Sequence, residues 1–151
     1  MTAVSTRWFA FVEVDDRAGA SSALAGVFSE RGVSFASIST LDVHDGRGTV
    51  CVEFTASERL AHVLVRTLER LAVVRAVVLI RADDAGVGAV AVLTGVVGDV
   101  EAGPGVTVHS HAEGGAPITM LAGPVTDVRA AMADLRGRGA VVEALTVLPP
   151  R

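Results

Sequence analysis

The feature that most restricts the possible folds is an order of strand and helix signals that fills the first half of the chain and is largely replayed in the second. Trp8–Val14 alternates, and Phe9 and Phe11 make its second face apolar too, as in a central strand. Ala20, Leu24, Val27 and Phe28 then recur at helical spacing, with Ser21, Ser22, Ser29 and Glu30 on the outer side and Gly32 placed to end the helix. Val33–Val43 and the run "TVCVEF" read as a hairpin about Asp45-Gly46, a dipeptide that tolerates the positive φ of a two-residue turn. Thr55 or Ser57 can cap a second helix whose Leu60, Leu64, Leu68 and Leu71 form one stripe, and "VVRAVVLIR" closes the half as a strand.

The order is β-α-β-β-α-β between residues 7 and 82. It predicts an α+β, ferredoxin-like unit: an antiparallel sheet with both helices on one face. In the second half "AVAVLTGVV" supplies a first strand, "GVTVHSH" echoes "GVSFASI", "EGG" replaces the Asp-Gly turn and "PITMLAG" is the return strand. A helix capped near Thr126 buries Val128, Ala131, Met132 and Leu135, ends at Gly137 or Gly139, and leads into "AVVEALTVL". Only "GDVEAGPG" separates the first two strands of this copy, so its first helix is missing. All five prolines and eleven of the sixteen glycines fall after residue 82, which marks a boundary there. The expected organisation is a complete unit over 1–82, a linker over 83–88 and a degenerate copy over 89–151.

Composition narrows the functional classes. A formal net charge of −4 argues against a nucleic-acid binder that relies on phosphate contacts. The longest uncharged run, Ala85–Gly98, is fourteen residues and broken by glycines, too short to span a bilayer, and the N-terminus has no secretory pattern. A cytoplasmic protein without membrane association is expected. The lone cysteine, Cys51, excludes a disulfide framework and reads as a small buried hydrophobe. No nucleophile elbow, Walker loop or dinucleotide fingerprint is present, and "GDVEAGPG" is too acidic to cradle phosphate. No cofactor and no metal are expected.

The stretch "DRAGASSALAGVFSERGVSFASI", Asp16–Ile38, resembles the opening of an ACT domain, the amino-acid-sensing module of many metabolic enzymes. Asp16, Arg17, Gly19, Leu24, Phe28, Gly32, Val33, Ser34 and Ile38 fall in register with that family's pattern, and the resemblance extends to Arg81. It is greatest to the regulatory tails of homoserine dehydrogenases and extends to acetolactate synthase small subunits. The second half resembles an ACT copy only through the internal repeat. Ala18 stands where the family has proline and Ser21 where it has a large aliphatic residue. Losing the proline loosens the first turn without reshaping it.

The resemblance implies a small-molecule site at the strand-to-helix junction. The N–H groups of Ala18, Gly19 and Ala20 would meet an amino acid's carboxylate, aided by the helix dipole, and Asp15 or Asp16 would take its ammonium group. Arg17 lies within the same loop. Across a dimer interface Val33, Ser34 and Phe35 would close the pocket. An aspartate at position 16 is equally explained as a plain helix cap.

A second constellation is the pair His109 and His111, two apart on a strand and so on one face with Thr107. Glu113 or His44 could add a third metal ligand, and histidine suits proton transfer near neutrality. A solvated strand face accounts for the same pattern, as it does for Arg66 and Arg70 on the second helix. The favoured expectation is a stand-alone ACT-type regulatory protein that binds a small amino acid or related metabolite and is a homodimer through its open sheet edges. The alternatives are a small enzyme using a His109/His111 pocket and a regulatory subunit that docks a larger metabolic enzyme.

Overall fold

The computed structural model of the chain describes residues 4–112 and 114–150. They form two compact units, one ending at Ala82 and the other beginning at Asp83. The first contains β1 (Thr6–Asp15), α1 (Ala20–Glu30), β2 (Phe35–His44), β3 (Arg47–Ala56), α2 (Glu58–Glu69) and β4 (Val74–Arg81). Its sheet runs β2-β3-β1-β4 with every neighbouring pair antiparallel, the ferredoxin-like arrangement.

β1 lies in the interior of this sheet because its side chains demand it. Trp8 to Val12 are all buried. Trp8, Ala10 and Val12 stand opposite Phe54, Val52 and Val50 of β3, and these residues face the helices. α1 contributes Ala20, Leu24, Val27 and Phe28 to the same core, and α2 contributes Ala61, Leu64 and Leu68. Each fully buried leucine here adds about 1.5–3 kcal/mol of transfer free energy. Phe28 sets its ring edge-on to Phe54 at 5.1 Å. The other face of β1 and β3 carries Phe9, Phe11, Cys51 and Glu53, also buried. Trp8 is a core residue whose indole N–H donates to the Ala56 carbonyl at 3.1 Å.

The helix ends follow their residues. After α1, Gly32 at φ 68° lets the Val33 N–H reach the Phe28 carbonyl and its own N–H reach that of Ser29, a Schellman closure. α2 is capped by Ser57, whose hydroxyl accepts from the Leu60 N–H at 3.2 Å, while Thr55 stays in β3. Asp45 at φ 49° and Gly46 at φ 74° make the two-residue turn between β2 and β3.

The second unit contains β5 (Gly88–Thr94), β6 (Thr107–His111), β7 (Ile118–Pro124), α3 (Val125–Gly137) and β8 (Val141–Leu148). Its sheet, β6-β7-β5-β8, is again wholly antiparallel and repeats the first order without a helix between the first two strands. α3 packs on β5, β7 and β8, with Val125, Val128, Ala131, Met132 and Leu135 buried. Three details differ from the sequence expectation. Gly88, the last residue of the expected linker, is already in β5. Thr126 does not cap α3: the N-cap is Pro124, and the Val125 N–H is satisfied by the Val87 carbonyl at 2.9 Å. Of the two glycines offered as its end, Gly139 at φ 93° takes the closing position and Gly137 remains helical. Among the described residues no helix is long and apolar enough to cross a membrane.

The cap of α2 is directly testable. Ser57→Ala should lower unfolding stability by about 1 kcal/mol, and Thr55→Ala should fall well short of that. Urea denaturation of the two variants is the measurement.

Candidate functional site

The junction between β1 and α1 is built by three backbone devices. β1 ends at Asp15, whose N–H donates to the Val73 carbonyl at 2.8 Å. Asp16 donates to the Gly46 carbonyl of the β2–β3 turn at 2.9 Å. The chain then makes a turn closed by the Ala20 N–H on the Arg17 carbonyl at 3.2 Å, and α1 begins with the Ala23 N–H on the Gly19 carbonyl at 2.9 Å.

Gly19 is therefore the N-cap, at φ 87°, and no side chain caps the helix. This corrects two readings. Asp16 is not the cap, because the extra turn places it three residues ahead of that position. The Ala20 N–H is not available to a ligand, because Arg17 takes it. The amides without an intrahelical acceptor are those of Gly19 and of Ser21 and Ser22 in the first turn. The positive φ of Gly19 also means that any L-residue there is strained.

The charges of the loop are partly spent within the protein. Both oxygens of Asp15 are held by Arg75, at 2.8 Å from Nε and 2.6 Å from Nη2. That bond, with Arg17 and Arg47 nearby, lowers the Asp15 carboxyl below the usual carboxylate range, and the same contact raises the Arg75 guanidinium. Glu13 pairs with Arg47. Asp16 and Arg17 are exposed and make no ion pair among the described residues. Arg75 carried no signal in the sequence, since sixty positions separate it from Asp15.

Val33, Ser34 and Phe35 lie elsewhere. With Ser29 and Gly32 they line an open cavity of about 390 Å³ at the far end of α1. An eleven-residue helix separates the two sets by about 16 Å along its axis. One unit therefore does not bring them together.

His109 and His111 face the helix-free side of the second sheet, opposite Met120 and Ile118 of β7. Both are exposed. Among the described residues no three of His, Cys, Asp and Glu are placed to hold a metal ion. Glu113 lies outside the described residues, and His44 stands beside the β2–β3 turn with its Nε2 at 3.2 Å from Asp45.

No known family model matches the sequence, and no curated protein matches it. Solved structures share its fold. The acetolactate synthase small subunit from Thermotoga maritima superposes with a TM-score of 0.63 at 16% identity, over 93% of this chain and 92% of that one. The ligand-free regulatory subunit of aspartate kinase from Thermus thermophilus gives a TM-score of 0.49 at 15% identity, over 91% and 98%. The first of these likenesses, at 16% identity, speaks for the fold, two ferredoxin-like units in tandem, and not for what is bound.

The Asp15–Arg75 contact has a definite pH signature. A carboxyl lowered in the folded state contributes stability above its unfolded pKa and loses it as pH falls through the folded value. The stability gap between the wild type and Arg75→Met should be constant near neutrality and shrink only in the acid range below the ordinary aspartate value. Urea midpoints measured against pH test this; a gap that closes near neutrality would contradict it.

Proposed function

We propose that this chain is a non-catalytic regulatory protein that binds a small amino acid or a closely related zwitterion at the β1–α1 junction. The observation that carries the reading is an uncapped helix N-terminus with one unpaired aspartate and one unpaired arginine beside it. The ligand's carboxylate would meet the Gly19, Ser21 and Ser22 amides, and its ammonium group would meet Asp16. Arg17 would supply a second contact for the carboxylate. Asp15 is a poor candidate for the ammonium because Arg75 already occupies it. A regulatory role is in keeping with the fold it shares with a protein named as an enzyme's small subunit.

Closing the pocket requires a second ACT-type unit, since Val33–Phe35 sit at the far end of α1. β2 is suited to such pairing: it is an edge strand of ten residues, largely exposed and without proline or lysine. The protein is therefore expected to be a homodimer. Sedimentation at micromolar concentration checks this, and a clean monomer would remove the closed pocket.

A thermal-shift screen of the proteinogenic amino acids tests the ligand class, because a molecule that binds only the folded state raises its stability. Two variants locate the site. Ser21→Asp places a negative charge where the helix favours it but where a carboxylate would be repelled, so stability should hold while affinity falls about tenfold. Asp16→Asn should weaken amino acids without harming the fold. Unchanged calorimetric affinity in both would place the site elsewhere.

A further inference from the structure

The register of β4 against β1 shifts between Glu13 and Val14: Ala76 stands opposite Glu13, and Val74 opposite Val14. Arg75 is the residue left over. A residue released in this way is turned out of the regular alternation, and such irregularities re-aim side chains beside functional sites. Here it is aimed along the sheet to the end of β1, where it grips both oxygens of Asp15. A two-point guanidinium–carboxylate contact fixes direction as well as distance.

The second unit repeats the device with other chemistry. Its register shifts at the corresponding place, with Ala144 opposite Val92 and Val142 opposite Leu93, so Glu143 is left over. Glu143 accepts a hydrogen bond from the Thr94 hydroxyl at the end of β5, at 2.7 Å. No helix follows Thr94. The ionic version thus occurs in the unit where the strand end leads to an uncapped helix.

We infer that Arg75 is a positioning residue for the β1–α1 loop, an assignment that rests on reading that loop as the ligand site. It acts in two ways. It holds Asp15, and with it the backbone that leads to Gly19, in the position where the first-turn amides converge. It also withdraws the Asp15 carboxylate from the ligand, which leaves Asp16 as the ammonium acceptor and spares the bound carboxylate an unscreened negative neighbour. The charged groups about this contact are Glu13, paired with Arg47, together with Arg17.

The test compares the wild type with Arg75→Met and Arg75→Lys in two measurements. In amide hydrogen exchange, Arg75→Met should speed the Asp15 and Asp16 amides about fivefold more than it speeds those of Phe9–Val12, which report the change in global stability. Lysine should restore only part of the protection, because it keeps the charge and loses the fork. In calorimetry with the amino acid that most stabilises the wild type, affinity should fall about fivefold in Arg75→Met, and Asp15→Asn in that background should recover part of it. Unchanged exchange at Asp15 and Asp16, or unchanged affinity in Arg75→Met, would overturn the assignment. If no amino acid stabilises the wild type, the ligand reading fails, and the exchange measurement by itself decides whether Arg75 holds the loop.

Discussion

A strand buried on both faces has its backbone amides and carbonyls cut off from water, so neighbouring strands on both sides must satisfy them. β1 is such a strand, and much of the first unit follows from that constraint. It sits between β3 and β4, which forces β2 and β4 to the edges and both helices onto the face defined by Trp8, Ala10 and Val12. The same constraint locates the candidate site. An interior strand ends with neighbours on either side, so its last residues are within reach of both the β2–β3 turn and the start of β4. Asp15 and Asp16 use those neighbours, through Val73 and Gly46, and the loop leaves the sheet from a fixed point.

The second unit shows what the sheet needs and what it does without. β5 keeps the interior position, and Ala89, Ala91 and Leu93 are buried in the sheet on which α3 packs, while the segment at 95–106 stands where the first unit has a helix. That segment passes close over the sheet: a side chain at Gly123 would run into the Gly105 carbonyl. Arg138 helps hold it by donating to the Val97 carbonyl at 2.8 Å. The second sheet forms with one helix where the first has two, and it lacks the helix start that offers unpaired amides in the first unit. The chain thus carries a junction of this kind in one unit only among its described residues.

How much of this was legible in the sequence depended on the range of the interactions involved. Local, periodic features were plain: the alternation of β1, the leucine stripe of α2, the Asp45-Gly46 turn and the glycine that ends α1. The position of the N-cap was not. In Asp-Arg-Ala-Gly both Asp16 and Gly19 are good cap residues, and the choice is made by the turn at Arg17–Ala20 and the tie from Asp16 to Gly46, neither of which is a local preference. Pro124 prevailed over Thr126 for a similar reason, since a carbonyl from Val87 stood ready to satisfy the first amide of α3. Arg75 was invisible because its role comes from a register shift in a strand pair, and single-sequence periodicity does not reveal a skipped residue. The register shift at Glu143 shows the same device with no common residue type to signal it.

Magnitudes indicate what an amino acid held at the junction would have to use. An exposed helix N-terminus contributes about 0.3–1 kcal/mol to a bound anion, and an exposed ion pair such as ammonium with Asp16 about as much. Millimolar binding alone requires about 4 kcal/mol. Such a junction would therefore orient a zwitterion without retaining it, and the balance would have to come from burying the ligand's side chain, about 1.5–3 kcal/mol for an aliphatic one of valine or leucine size. Within one unit the apolar residues expected to do this, Val33 and Phe35, lie at the other end of α1. Burial, and with it affinity, would then be supplied by a second copy. Binding and dimerisation would be linked, each strengthening the other, so ligand concentration would be read out as assembly. Such coupling would rest on the difference in affinity between one unit and the closed pair, and a junction that contributes little by itself would leave most of the binding free energy to that difference.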